Sequence, residues 1–166
     1  MEQKSNNLLF ANLENYLQQQ QWQCANEETE QILLKISEDG LETDFIDPND
    51  IEKMSVENLK TLDQLWLKYS NNHFGFSIHK EIICFDRLNQ ENFNWTPAII
   101  NKLGDNVGWR KEGVWLNYPS QYTFNIHAPL GHLPTFWAID TFIYPETCGG
   151  YFIITSNVYF TLLSKI

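Results

Sequence analysis

The chain has 166 residues, 43% hydrophobic and 14% aromatic, with a formal net charge of -10. That length suits one domain with its own core, and the acidic balance argues against a surface built for phosphate backbones or anionic membranes. The aromatic share leaves two readings open: rings that face a ligand, or a core rich in Phe and Trp.

Leu9, Leu13, Tyr16 and Leu17 recur at helical spacing and predict a first amphipathic helix, closed by the glutamines at 18–21. Asn26 has the chemistry of an N-cap for a second helix, with Glu27 and Glu28 at the positive end of its dipole and Gly40 as its stop. Ile32, Leu33 and Ile36 supply its apolar side. Residues 41–50 read as an acidic loop carrying Asp44, Asp47 and Asp50, with Pro48 as a turn signal. The EF-hand order of ligands and its central Gly are missing, which argues against calcium.

Ser55 is a cap candidate for the clearest amphipathic helix, marked by Val56, Leu59, Leu62, Leu65, Trp66 and Tyr69. Residues 71–73 break it, and Gly75 permits a tight turn. Residues 76–85 predict another helix, although their Ile pairs also suit a strand. Thr96-Pro97 opens a further helix with Ile99, Ile100 and Leu103 on its apolar side and Gly104 as its stop. Gly108 and Gly113 bracket a short turn, and Pro119, Pro129 and Pro134 make 116–133 a long ordered loop. Loops of that length in compact domains are often functional. Pro134 predicts a last helix reaching Phe142.

Cys24, Cys84 and Cys148 are odd in number and far apart, so they read as reduced thiols and not as a disulfide frame or zinc site. The N-terminus lacks an apolar signal run and the Arg- and Ser-rich character of a transit peptide. The most apolar stretch, 151–163, is interrupted by Ser156 and Asn157 and falls short of the about 20 residues a membrane span needs. The expectation is a protein soluble where it is made.

Nucleophile motifs, zincin motifs and phosphate-binding glycine loops are absent, so no catalytic residue is expected. His73, His79, His127 and His132 lack further ligands at useful spacing and read as surface or hydrogen-bonded groups. The aromatics gather beside turn residues: Phe74 and Phe76 around Gly75, Trp109 after Gly108, and Trp115, Tyr118, Tyr122 and Phe124 after Gly113. Such rings suit a cleft for a flat apolar ligand, with Arg110 and Lys111 to meet carboxylates. They equally suit a loop folded back over its own core.

Thr61 to Ser70, read Thr-Leu-Asp-Gln-Leu-Trp-Leu-Lys-Tyr-Ser, followed by Phe74-Gly75-Phe76-Ser77, resembles the GUN4 signature. So do Gly108-Trp109 with Trp115 and Tyr118, and Ala128-Pro129-Leu130-Gly131-His132-Leu133-Pro134. Trp22 and Ala25-Asn26 through Thr29 look like the family's early helix motif, with Asn26 where an Asp is usual. The resemblance spans about 8–137, within a single domain of 1–166; residues 138–166 match no motif.

The resemblance implies an all-α, cupped-hand domain with long ligand-binding loops. It implies binding of protoporphyrin IX and magnesium protoporphyrin IX, and stimulation of magnesium chelatase through that enzyme's large porphyrin-binding subunit, with no catalysis or required cofactor. The family's ligand loops correspond by position to 38–50 and 116–133. The porphyrin contacts so implied are Phe74, Phe76, Trp109, Arg110, Trp115, Tyr118, Tyr122, Phe124, Asn125, His132 and Leu133, with His127 and His132 flanking the loop wall. No extra N-terminal helical module of the kind some relatives carry is expected, and the lack of a transit peptide implies a cyanobacterial protein or one made in a plastid. The competing readings are a sensor for haem or a bilin, and a ligand-free protein-interaction domain whose aromatics are core.

Overall fold

The computed structural model describes residues 8–37, 46–85, 97–135 and 151–166. Helix α1 (Ala11–Gln18) buries Leu13 and Leu17, as its spacing predicts. A left-handed Gln20 turns the chain into α2 (Trp22–Ile36), which packs on α1. This helix starts four residues before Asn26, so Asn26 is a buried interior residue and not a cap. The expected stop at Gly40 lies outside the described residues.

The expected turn at Pro48 is instead the first residue of α3 (Pro48–Lys53), where a ring-fixed φ suits the helix start. Asp47 and Asp50 cap that helix reciprocally: the Asp50 N–H donates to Asp47 at 2.9 Å, and the Asp47 N–H donates to Asp50 at 2.8 Å. Two of the loop's carboxylates are thereby committed to backbone amides.

Ser55 caps α4 (Val56–Ser70), as predicted, and Asn71 in the left-handed region ends it. Here the core is aromatic. Trp22 and Trp66 stack at 6.2 Å, and Phe74 meets both edge-on at 5.3 and 6.4 Å. The Trp66 indole N–H donates to the Thr29 hydroxyl at 3.0 Å, so the ring is buried without an orphaned donor.

Helix α5 (Phe76–Phe85) begins under the carboxylate of Asp63, which accepts from the Ser77 N–H at 3.0 Å. Burial raises the Asp63 pKa, while these amide bonds oppose the rise. Gly75 has φ 147°, and a Cβ there would lie 3.0 Å from that carboxylate oxygen.

Helix α6 (Pro97–Asn106) runs through Gly104, which is therefore not its stop. A Cβ at Gly104 would sit 2.6 Å from the Trp115 ring, so this glycine makes room for the indole. The helix ends instead at Asn106, and the left-handed Gly108, φ 74°, closes it, the Trp109 N–H bonding back to the Gly104 carbonyl at 2.8 Å.

The all-α expectation also needs one addition, because β1 (Arg110–Lys111) and β2 (Val114–Trp115) pair antiparallel. Glu112 and Gly113, at φ 53° and 82°, form the left-handed pair that a tight two-residue hairpin loop needs.

The last helix, α7 (Tyr151–Lys165), packs against α3, α4 and α5. Val158, Tyr159, Phe160, Leu162 and Leu163 are buried, so the segment without a motif contributes to the core. Lys165 donates to the carbonyls of Ile51, Glu52 and Met54, closing the C-terminal end of α3. No helix among the described residues is long and apolar enough to cross a membrane. The helix predicted from Pro134 to Phe142 falls outside the described residues beyond Thr135, and Pro134 and Thr135 are not helical.

Candidate functional site

From Leu116 to Thr135 the chain contains turns but no helix or strand, as the prolines predict. Its outer stretch alternates. Tyr122, Phe124 and Ile126 are half-buried against the core, whereas Thr123, Asn125 and His127 are exposed. The segment is an extended strap laid over the helices with one side inward.

A strap without a ladder must satisfy its backbone elsewhere. Three of the four histidines serve that need. The His73 Nε2 donates to the Ala128 carbonyl at 2.7 Å, and the His79 Nε2 to the Gly131 carbonyl at 2.5 Å. The His132 Nδ1 donates to the Val107 carbonyl at 2.7 Å, and its Nε2 accepts from the Thr123 N–H at 3.1 Å. Each carbonyl partner fixes its ring's tautomer. Burial pushes the His79 pKa down to about 4, against the opposing pull of the Gly131 carbonyl. Burial also lowers that of His132, against the Val107 carbonyl.

Two further pins close the strap. The Trp109 indole donates to the His132 carbonyl at 2.8 Å. The Asn26 carboxamide grips the far end: its oxygen accepts from the Thr135 N–H at 2.6 Å, and its nitrogen donates to the Thr135 hydroxyl at 2.9 Å and the Tyr118 hydroxyl at 3.2 Å.

The sequence-predicted contacts divide sharply. Phe74, Phe76, Trp109, His132 and Leu133 are all at most 1% exposed. In this structure they fill the interior beside the turns at Gly75 and Gly108, and none presents its side chain to solvent as an open palm wall would.

Arg110 is also engaged internally. Its guanidinium bonds both Asp105 oxygens at 3.0 Å and the Gly113 carbonyl at 2.7 Å, and lies 5.5 Å from the Trp115 ring centre. Asn125 is exposed, and its carboxamide oxygen accepts from the His127 N–H at 2.9 Å, shaping its own turn.

The residues brought together with rings still partly exposed are Tyr118, Tyr122 and Phe124. Tyr118 meets the other two edge-on at 5.4 and 6.1 Å. Trp115, on the hairpin beneath Arg110, is likewise half-buried.

Sequence reasoning left His79 open between a surface and a hydrogen-bonded group, of which the second holds, and it misassigned Asn26. A lone His among Phe76, Ile78 and Ile83 was the available signal for His79, since a buried imidazole needs partners for both nitrogens. No group of His, Cys, Asp and Glu among the described residues could hold a metal ion.

These features define a class: a helical scaffold whose side chains pin an irregular aromatic strap. A model of the GUN4-like family matches residues 3–144, and the chain belongs to that family. It is 32% identical over 132 residues to the uncharacterized protein ycf53 of Cyanidium caldarium, covering 78% of this chain and 52% of that one. It is 30% identical over 136 residues to the chloroplastic tetrapyrrole-binding protein of Arabidopsis thaliana, covering 76% of this chain and 48% of that one. The chain thus spans about half the length of the curated relatives it matches.

Two solved structures share the fold. The ligand-free structure of Arabidopsis thaliana GUN4 superposes with a TM-score of 0.70 at 24% identity, covering 94% of this chain and 91% of that chain. GUN4 from Chlamydomonas reinhardtii gives 0.69 at 20% identity, with 93% and 86% covered.

Proposed function

We propose that this protein binds a tetrapyrrole, protoporphyrin IX or its magnesium complex, on the aromatic strip of Trp115, Tyr118, Tyr122 and Phe124. The observation that carries the reading is a pinned strap that keeps three rings partly open, preceded by the half-buried Trp115 of the hairpin, in a family with a named tetrapyrrole-binding relative. Rigid aromatics offer a flat macrocycle stacking area at little entropic cost. Among the described residues no acid, base or nucleophile set supports an enzymatic reading, and binding is the activity proposed. From the family resemblance follow the further proposals that the loaded protein acts with the large porphyrin-binding subunit of magnesium chelatase, and that it works in a plastid stroma or cyanobacterial cytoplasm. His132 is not assigned as a metal ligand, because both of its ring nitrogens already have partners.

Absorbance titration with protoporphyrin IX, its magnesium complex, haem and a bilin tests the reading. A ligand of about 40 heavy atoms at about 0.3 kcal/mol each sets a ceiling near 12 kcal/mol, so affinity between nanomolar and micromolar is expected. Trp115→Ala should weaken binding about tenfold, a larger proportional loss than the stability lost with its packing on Gly104 and Arg110. Flat curves for both porphyrins at tens of micromolar ligand would sink the proposal.

A further inference from the structure

The family match ends at residue 144, yet α7 lies beyond it and places a hydroxyl at the centre of the strap's attachment. Tyr159 is 2% exposed, and its hydroxyl lies 2.5 Å from the His79 Nδ1. The other ring nitrogen of His79 holds the Gly131 carbonyl, as described above. An imidazole whose Nε2 donates to a carbonyl has a lone pair on Nδ1, so the tyrosine must be the donor there. The three groups form a directional chain, from the Tyr159 O–H through His79 to the Gly131 carbonyl. Gly131 has no room to shift towards this ring: a Cβ there would stand 3.1 Å from the His79 Cδ2 and 3.2 Å from both Ile82 and Val107.

We infer that Tyr159 is a positioning residue for the aromatic strap: through His79 it fixes the imidazole tautomer and orientation that hold Gly131, and so sets where the proposed porphyrin-binding rings stand. This rests on the tetrapyrrole-binding reading for its ligand, but not for its effect on the strap. Without the hydroxyl, the buried His79 Nδ1 has no donor, and the ring is free to exchange tautomers or tilt. A strap held by side chains loses order locally when one pin slackens. Lys165 extends the same logic, because its bonds to the end of α3 fix the far end of the helix that carries Tyr159.

The test is Tyr159→Phe, which keeps the ring and removes only the hydroxyl. Amide exchange is measured in ligand-free protein, together with ring nitrogen NMR shifts of His79 and porphyrin titration. The expected result has three parts: faster exchange at Thr123, Gly131 and His132 with the α1 and α2 amides unchanged, altered His79 ring shifts, and porphyrin affinity reduced about fivefold. Unchanged strap exchange would overturn the inference and leave Tyr159 as a core filler. If Tyr159→Phe loosens every element alike, Lys165→Met decides. Loosening confined to α3, α7 and the strap supports the chain, and uniform loosening or none overturns it. Failure of the wild-type protein to bind porphyrin would strike the ligand reading alone, since the exchange arm needs no ligand.

Discussion

The α1–α2–α4 region and the strap over α5 and α6 bury comparable aromatics by different means. In the first, Trp22 and Trp66 sit at positions set by helical periodicity, the corner after α4 brings Phe74 onto them, and nearly every helical backbone group is satisfied within its own helix. In the second, turn bonds within Leu116–Thr135 and backbone contacts to His73, Gly75 and Trp109 are supplemented by side chains from elsewhere: His73, His79, Trp109 and Asn26. The first region should fail chiefly on loss of volume. The second should fail on loss of single polar atoms.

The largest effect expected is from Trp109→Ala, which joins both kinds of damage. It removes a buried indole and orphans the His132 carbonyl. A loss of about 3–5 kcal/mol is expected from urea unfolding. A mutant that melts like the wild type but loses porphyrin affinity would return Trp109 to the ligand wall.

Next is a pH effect carried by His79, the α5 side chain that holds the strap. The His79 pKa is held down to about 4 in the folded protein from an ordinary 6.5. The unfolded chain therefore binds the extra proton first. Stability from this group is complete above pH 6.5 and is lost as pH falls towards 4, by about 3 kcal/mol in all. His132 and Tyr159 are the titratable groups that contribute to or contact its surroundings. The buried Asp63 acts in the opposite sense, because its raised pKa makes the folded state the better proton binder as pH falls. Denaturant midpoints from pH 7 to 4 for wild type and His79→Gln separate the two, since only the histidine slope should flatten in the mutant.

The smallest of the three is Asn26→Ala, expected to cost about 2 kcal/mol by leaving the Thr135 N–H without its acceptor. Amide exchange should rise at Thr135 and near Tyr118 while the Trp22–Trp66 contact, followed by near-ultraviolet circular dichroism, persists. Exchange rising equally through α1 and α4 would erase the distinction between the two regions.

That distinction also explains what could be read from the chain alone. The spacing of Leu59, Leu62 and Trp66 encodes a buried face directly, and α4 was legible down to its Ser55 cap. The prolines announced a long irregular segment, and the family resemblance identified its motif residues. Composition could not show which rings turn inward. Gly75 and Gly108 read as turn glycines, and their positive φ bears that out, but their close packing against Asp63 and Pro129 could not be read from the chain. The 80-residue separation between His79 and Tyr159 leaves no local pattern. Asn26 satisfies every rule for a cap, yet the chain enters its helix earlier and uses the carboxamide across 109 residues.

The cap on α5 has a kinetic consequence. Its acceptor, Asp63, lies 14 residues upstream in the middle of α4, so a peptide spanning α5 alone would start with its first amides unmet. Nucleation of α5 therefore waits on α4 and on closure of the short corner between them, a step that takes on the order of 10–100 ns for a loop of this size. The two helices should appear as one kinetic unit during refolding, formed before the strap finds its histidines.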